Sequence, residues 1–116
     1  MRVGIDSVEI KRIEKSMESK SFLEKVFSLK ERDMFEQRKL NPETIAANFA
    51  AKEAFSKSLG TGIRGFELKE VSVLRDSLGA PYLELSGRAA SAAEGRCFTV
   101  SITHTKDTAT AIVIAY

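Results

Sequence analysis

Tryptophan is absent from this 116-residue chain, and cysteine and histidine occur once each, as Cys97 and His104. One cysteine excludes an internal disulfide framework and a multi-cysteine zinc site within one chain. One histidine excludes a histidine-rich metal centre. Proline is confined to Pro42 and Pro81, and the chain has no repeat, long linker or low-complexity run. No stretch approaches the roughly 20 apolar residues of a membrane-crossing helix. The first six residues lead straight into a highly charged segment, which does not fit a secretory leader. Excess charge of one sign is missing too. The net charge is +2, whereas a nucleic-acid-binding domain commonly carries a strong basic excess. The expectation is a soluble, cytoplasmic protein with neither a membrane nor a nucleic acid as partner.

What is present suits a packed core. Hydrophobic residues make up 43% and charged residues 29%, close to globular averages. The length predicts a single domain over residues 1–116. Residues 1–6 read as a short strand ending in the carboxylate of Asp6. Ile10, Ile13 and Met17 then recur at helix spacing, leaving Lys11, Arg12 and Lys15 off the apolar row. Ser28 and Glu31 fit a capping box that starts a helix toward Lys39. Asn41-Pro42 fits an N-cap followed by proline in the first helical position, and Gly60 a stop for a long helix reaching Leu59.

The period changes in the second half. Val71 and Val73 mark a strand, residues 76–79 a turn, and residues 81–85 a strand with Tyr82 and Glu84 opposite Leu83 and Leu85. Residues 88–94 are alanine-rich and predict a short helix closed by Gly95. Phe98, Val100, Ile102 and His104 share one strand face, and residues 108–116 form the last strand across a Lys106-Asp107 hairpin loop. Cys97 falls inside strand text as a small buried hydrophobe. Helices early and strands late predict an α+β fold with a mainly antiparallel sheet and a long central helix.

Three places could carry chemistry. Asp6, flanked by apolar residues, suits either a helix N-cap or a cation ligand. Glu53 follows Ile45 and Phe49 on one helical row into a face expected to be buried or semi-buried, with Lys57 one turn beyond. A Glu53–Lys57 ion pair along the helix is one reading; a metal carboxylate beside a phosphate-binding ammonium is the other. Gly60-Thr61-Gly62 lets backbone amides approach a ligand and equally suits a helix stop. His104, among hydroxyls, suits a base, a phosphate donor, a positioning group or a purely structural residue. No nucleophile-elbow motif supports a serine hydrolase.

Gly4-Ile5-Asp6-Ser7-Val8-Glu9-Ile10-Lys11-Arg12-Ile13, Phe49-Ala50-Ala51-Lys52-Glu53-Ala54 running into Lys57 and Leu59-Gly60-Thr61-Gly62, and Val100-Ser101-Ile102-Thr103-His104 occur in this order. Together they resemble the bacterial holo-[acyl-carrier-protein] synthases, the small 4'-phosphopantetheinyl transferases, over nearly the whole chain. The resemblance implies magnesium-dependent transfer of 4'-phosphopantetheine from coenzyme A to a serine of apo acyl carrier protein in fatty-acid biosynthesis, releasing adenosine 3',5'-bisphosphate. It implies Asp6 and Glu53 as magnesium ligands and Lys57 on the phosphates. Gly60, Thr61, Gly62 and His104 would lie along coenzyme A. It implies a homotrimer with active sites between subunits, and carrier docking on the first helix through Lys11, Arg12 and Lys15. Such proteins commonly carry arginine where Asn48 stands. If that arginine grips a coenzyme A phosphate, Lys39, Arg64 or another basic residue substitutes here, and weak discrimination against dephospho-coenzyme A is expected. The competing reading is a non-catalytic module that docks an acidic partner through its basic first helix.

Overall fold

The computed structural model describes residues 1–61 and 65–116. Strand β1 (Arg2–Glu9) leads into helices α1 (Ile10–Ser16), α2 (Lys20–Val26), α3 (Leu29–Gln37) and α4 (Pro42–Ser58). A 3-10 turn (Leu68–Glu70) precedes β2 (Val71–Arg75) and β3 (Pro81–Leu85). Helix α5 (Gly87–Ala93), β4 (Phe98–His104) and β5 (Thr108–Ala115) complete the chain. Both sheets are antiparallel: one has the order β1-β5-β4, the other is the β2-β3 ribbon. The α+β expectation and its long helix are realised.

Four details differ from the sequence expectations. β1 runs on to Glu9, so Asp6 stands in mid-strand opposite Ala111, and it is Glu9 that precedes α1. Asp6 is therefore not a helix cap. Helix α2 has no counterpart in the sequence reading. It is seven residues long, lacks a side-chain cap bond and packs only the partly buried Phe22, Leu23 and Val26 against the core. Helix α3 ends at Gln37, and Lys39 and Leu40 take left-handed backbone angles. Cys97 lies exposed just before β4, where only its backbone pairs, with Tyr116.

Helix α4 lies across the three-stranded sheet. Its Ala46, Ala47, Ala50, Ala51 and Ala54 are buried, as are Ala109, Ala111, Val113 and Ala115 of β5. Small side chains on both surfaces let helix and sheet approach closely. The approach is tightest at Gly4, where a Cβ would fall 1.9 Å from the Ala54 carbonyl oxygen. Bulk is supplied elsewhere by edge-to-face phenylalanines: Phe27 meets Phe35 at 5.0 Å, and Phe55 meets Phe66 at 5.7 Å.

A charged cluster ties α3, α4 and β2. The Ser28–Glu31 capping box forms as its spacing predicts. Glu31 is nevertheless fully buried, because Lys52 of α4 reaches it at 2.5 Å and Asn48 donates to its second oxygen at 2.9 Å. Lys52 also donates to the carbonyls of Leu68 and Val71. Burial depresses the Lys52 ammonium below its ordinary value, with Glu31 acting the other way.

Removing one member of a buried ion pair leaves the other uncompensated, at a cost of about 3–5 kcal/mol. Lys52→Ala is expected to lower unfolding free energy by about that amount in urea denaturation, whereas the double replacement Glu31→Leu with Lys52→Met should cost much less. Equal losses in the two variants would show that the pair is not the source of the effect.

Candidate active site

Strand alternation puts Gly4, Asp6 and Val8 on one face of β1, toward α4. With β1 drawn onto the helix at Gly4, the Asp6 side chain comes level with the turn carrying Glu53 and Lys57. The Lys57 ammonium donates to Asp6 Oδ1 at 3.1 Å and to the Ile5 carbonyl at 3.0 Å. Lys57 thus reaches across to the strand, and the ion pair along the helix with Glu53 is not formed. Glu53 is half-buried. Its carboxyl is held above the usual carboxylate value, first by burial and next by the Asp6 charge, with Lys57 only partly offsetting them.

Lys57 is thus paired with Asp6, and the Asp6 charge is felt at Glu53 on the neighbouring turn of α4. Among the described residues no group of three or more His, Cys, Asp or Glu side chains could hold a metal. Asp6 and Glu53 form a sparser donor set, of the kind magnesium uses when waters and substrate phosphates complete its shell. The donor chemistry fits that ion, and the strain on Glu53 is what a cation would relieve.

Glu53 and Lys57 sit near the end of α4. Its C-terminal side continues through Gly60, whose left-handed backbone (φ 80°) closes the helix as expected. A Cβ there would fall 2.3 Å from the Arg2 guanidinium, so glycine also makes room for that side chain. Thr61 is exposed and lines a shallow pocket with Leu59, Ala92, Glu94 and Arg96. Gly62 and Arg64 lie outside the described residues.

His104 does not join the Asp6 cluster. It ends β4, the opposite edge of the sheet from β1, and two strand spacings separate those edges by roughly 10 Å. Its Nε2 lies 3.4 Å from Glu43 in the first turn of α4. Both line a polar cleft of 270 Å³ together with Arg38, Asn41, Thr44 and Arg75. Arg38 and Arg75 were not picked out from the sequence. Asn48, noted only as a departure, is fully buried and accepts a hydrogen bond from Arg75 Nη2 at 2.9 Å. These partners are 27 residues apart, so no local pattern links them. Lys39 is exposed at the end of α3 and is not among the residues lining the cleft.

On α1, Ile10 and Ile13 are buried while Lys11, Arg12 and Lys15 are exposed. None of the three forms an ion pair among the described residues. Their charge is thus available to a partner.

The profile of the 4'-phosphopantetheinyl transferase superfamily matches residues 2–113. The holo-[acyl-carrier-protein] synthase of Alkaliphilus oremlandii is 43% identical over 117 residues, spanning 97% of this chain and 96% of that protein. The crystal structure of the Helicobacter pylori holo-[acyl-carrier-protein] synthase in complex with coenzyme A superposes with a TM-score of 0.86 at 31% identity. That likeness covers 98% of this chain and 99% of the other. The Bacillus anthracis holo-(acyl-carrier-protein) synthase, solved with CoA (3',5'-ADP), gives 0.84 at 34% identity over 98% and 94% of the two chains.

The raised Glu53 carboxyl has a consequence for stability. Below its ordinary value of 4.5 the group is protonated in folded and unfolded chains alike, and carries no penalty. As pH rises from there through the raised folded value, the unfolded chain ionises first and the folded state loses stability. Glu53→Gln should therefore raise the melting temperature at pH 7 without magnesium and have little effect at pH 4. Added magnesium should stabilise the wild type and not the variant. Identical pH profiles for the two proteins would dissociate Glu53 from the acid pair.

Proposed function

The chain belongs to the 4'-phosphopantetheinyl transferase superfamily, and from that membership we propose that it performs the reaction of a holo-[acyl-carrier-protein] synthase. It would move the 4'-phosphopantetheine arm of coenzyme A onto a serine hydroxyl of apo acyl carrier protein. The serine oxygen bonds to the pantetheine-side phosphorus of the pyrophosphate. The bridging P–O bond breaks, adenosine 3',5'-bisphosphate leaves with the electron pair, and the serine proton is lost. The observation that carries this reading is the convergence of Asp6, Glu53 and Lys57. A non-catalytic docking module leaves that convergence without a use.

Phosphoryl transfer asks the protein chiefly for positioning and for neutralisation of charge. Asp6 and Glu53 would hold magnesium, which supplies charge neutralisation on the pyrophosphate when bound. Lys57 presents an ammonium to the same oxygens from one turn further along α4. Gly60 and Thr61 would offer backbone to the pantetheine side, a role that the resemblance also gives to Gly62. His104, on the opposite edge strand, serves the nucleotide side. With these groups on opposite edges of one sheet, an active site between subunits brings them to one donor.

The family resemblance implies a homotrimer, and two features support association between copies: this division between edges, and an exposed apolar face. The outer face of the β1-β5 pair exposes Val3 (59%) and Ile5 (57%) beside the exposed Ile112, an apolar surface that association would cover. Acyl carrier protein, as an acidic partner, would dock on α1, where Lys11, Arg12 and Lys15 face outward. Arg12 suits a carboxylate next to the target serine, since a planar guanidinium holds it through two parallel bonds. We assign the reaction to carrier activation in fatty-acid biosynthesis, in the cytoplasm. Among the described residues no helix is long and apolar enough to cross a membrane.

The test is incubation with coenzyme A, magnesium and apo acyl carrier protein, following the carrier's mass increase by one phosphopantetheine. Asp6→Ala and Glu53→Gln should abolish transfer with the circular dichroism spectrum intact. Normal magnesium-dependent transfer in either would remove that residue from the metal site.

Docking on α1 has its own signature. Arg12→Glu should raise the Michaelis constant for the carrier steeply and leave that for coenzyme A nearly unchanged. Salt should weaken carrier binding by the wild type, because exposed charges are screened beyond about 8–10 Å. A salt-independent constant together with an inert Arg12→Glu would move the docking surface off this helix.

A further inference from the structure

The cleft at the first turn of α4 holds two guanidiniums, and neither has a carboxylate partner among the described residues. Arg75 is the last residue of β2. Its Nη2 donates to Asn48 Oδ1 at 2.9 Å and its Nη1 makes a long contact of 3.4 Å to the Leu74 carbonyl. A guanidinium has five donors, so most of the Arg75 fork remains open toward the cleft. Arg38 and Arg75 line the same cleft, and burial, and next the charge of Arg38, hold Arg75 below its ordinary value. Glu31, the acid that acts in the opposite sense on Arg75, is committed to Lys52 and Asn48.

The Asn48 amide cannot turn around. Its Nδ2 donates to Glu31 Oε2 and to the Val73 carbonyl, both at 2.9 Å, so the oxygen must face Arg75. Inverting the amide would set its NH2 against a guanidinium and its oxygen against a carboxylate. Asn48 is thus a fixed, fully buried acceptor that captures one edge of the Arg75 fork. The cleft also contains Glu43, a carboxylate held beside His104, and the first turn of the 17-residue helix α4, whose amides favour negative charge.

Two guanidiniums in one cleft, neither paired with an acid among the described residues while Glu43 lies against His104, mark a place prepared for an anion. Coenzyme A carries phosphate at two places; under the proposed function its pyrophosphate belongs with Asp6, Glu53 and Lys57, where magnesium can act. The other is a phosphomonoester on the ribose, which needs cationic donors and no metal. We propose that Asn48 is a positioning residue that aims Arg75 into this cleft, and that Arg75 with Arg38 binds the 3'-phosphate of coenzyme A. The guanidinium that the resemblance would place at position 48 arrives from β2 instead. The chain then discriminates against dephospho-coenzyme A, the reverse of what Asn48 suggests in the sequence alone. This inference rests on coenzyme A being the donor.

The experiment compares coenzyme A with dephospho-coenzyme A as donors, and adenosine 3',5'-bisphosphate with adenosine 5'-monophosphate as calorimetric ligands, for the wild type, Arg75→Ala, Arg75→Lys and Asn48→Ala. The wild type should prefer the 3'-phosphorylated member of each pair by about tenfold or more, the scale of a hydrogen bond to a charged group. Arg75→Ala should bring both preferences close to one, through KM rather than kcat, and Arg75→Lys should restore part. Asn48→Ala should lower the preference, and adding Arg75→Ala to it should lower it little more. Removing a buried amide endangers folding, so the Arg75 variants carry the test by themselves. A preference that survives in Arg75→Ala, or a wild type that binds both nucleotides equally, overturns the proposal. Absence of transfer from either donor would instead remove the proposed function, while the two nucleotides would still report on the cleft.

Discussion

The buried pair of Glu31 and Lys52 is the constraint on which the helical half and the ribbon both depend. Glu31 first caps its own helix, then accepts from Lys52 and Asn48 of α4 and from the Val73 amide of β2. Lys52 spans back to the carbonyls at the start of that strand. One carboxylate thereby sets three elements relative to each other. Directional bonds accomplish what apolar packing does poorly at this junction, because an alanine-lined helix offers little shape to fix its rotation. A buried ion pair is weak evidence for added stability when compared with a well-packed apolar alternative. Its value in this fold lies in the orientation it imposes.

Orientation reaches the functional residues along two routes. Asn48 belongs to the same cluster, and through it the buried charges are coupled to Arg75 in the cleft. On the other side of α4, the close approach at Gly4 sets the depth at which β1 lies, and so the distance from Asp6 to Lys57. The two places differ in the sign of what they lack. The acid pair wants a cation and the guanidinium cleft wants an anion. The proposed donor, a coenzyme A with magnesium on its pyrophosphate and a phosphomonoester on its ribose, would supply both.

Much of this was legible in the linear text, and the reason is local chemistry. Ser28 with Glu31, Asn41-Pro42 and Gly60 announce helix ends because capping is decided within three or four residues. Alternation over residues 81–85 and 98–104 announces strands because a pleat has a period of two. Asp6, Glu53 and Lys57 stood out because each sits where a charge has to be explained, and the ordered motifs around them carried the family. Exposed Lys11, Arg12 and Lys15 were legible from the same row that buries Ile10 and Ile13.

What the tertiary structure decided were the partnerships. The sequence allowed Lys57 to pair with Glu53 or serve elsewhere; packing of β1 on α4 gave it to Asp6. Glu31 had only its capping role and Lys52 none of its own, and only the fold brings them into one buried pair. Asn48 read as a loss until Arg75 arrived from another sheet, and only strand order shows that His104 and the acid pair lie on opposite edges of one chain's sheet. Local bonds are determined by residues a few positions apart, and so are written in the sequence. Long-range pairings depend on the close packing of whole elements, where a single missing Cβ at Gly4 decides which charges meet.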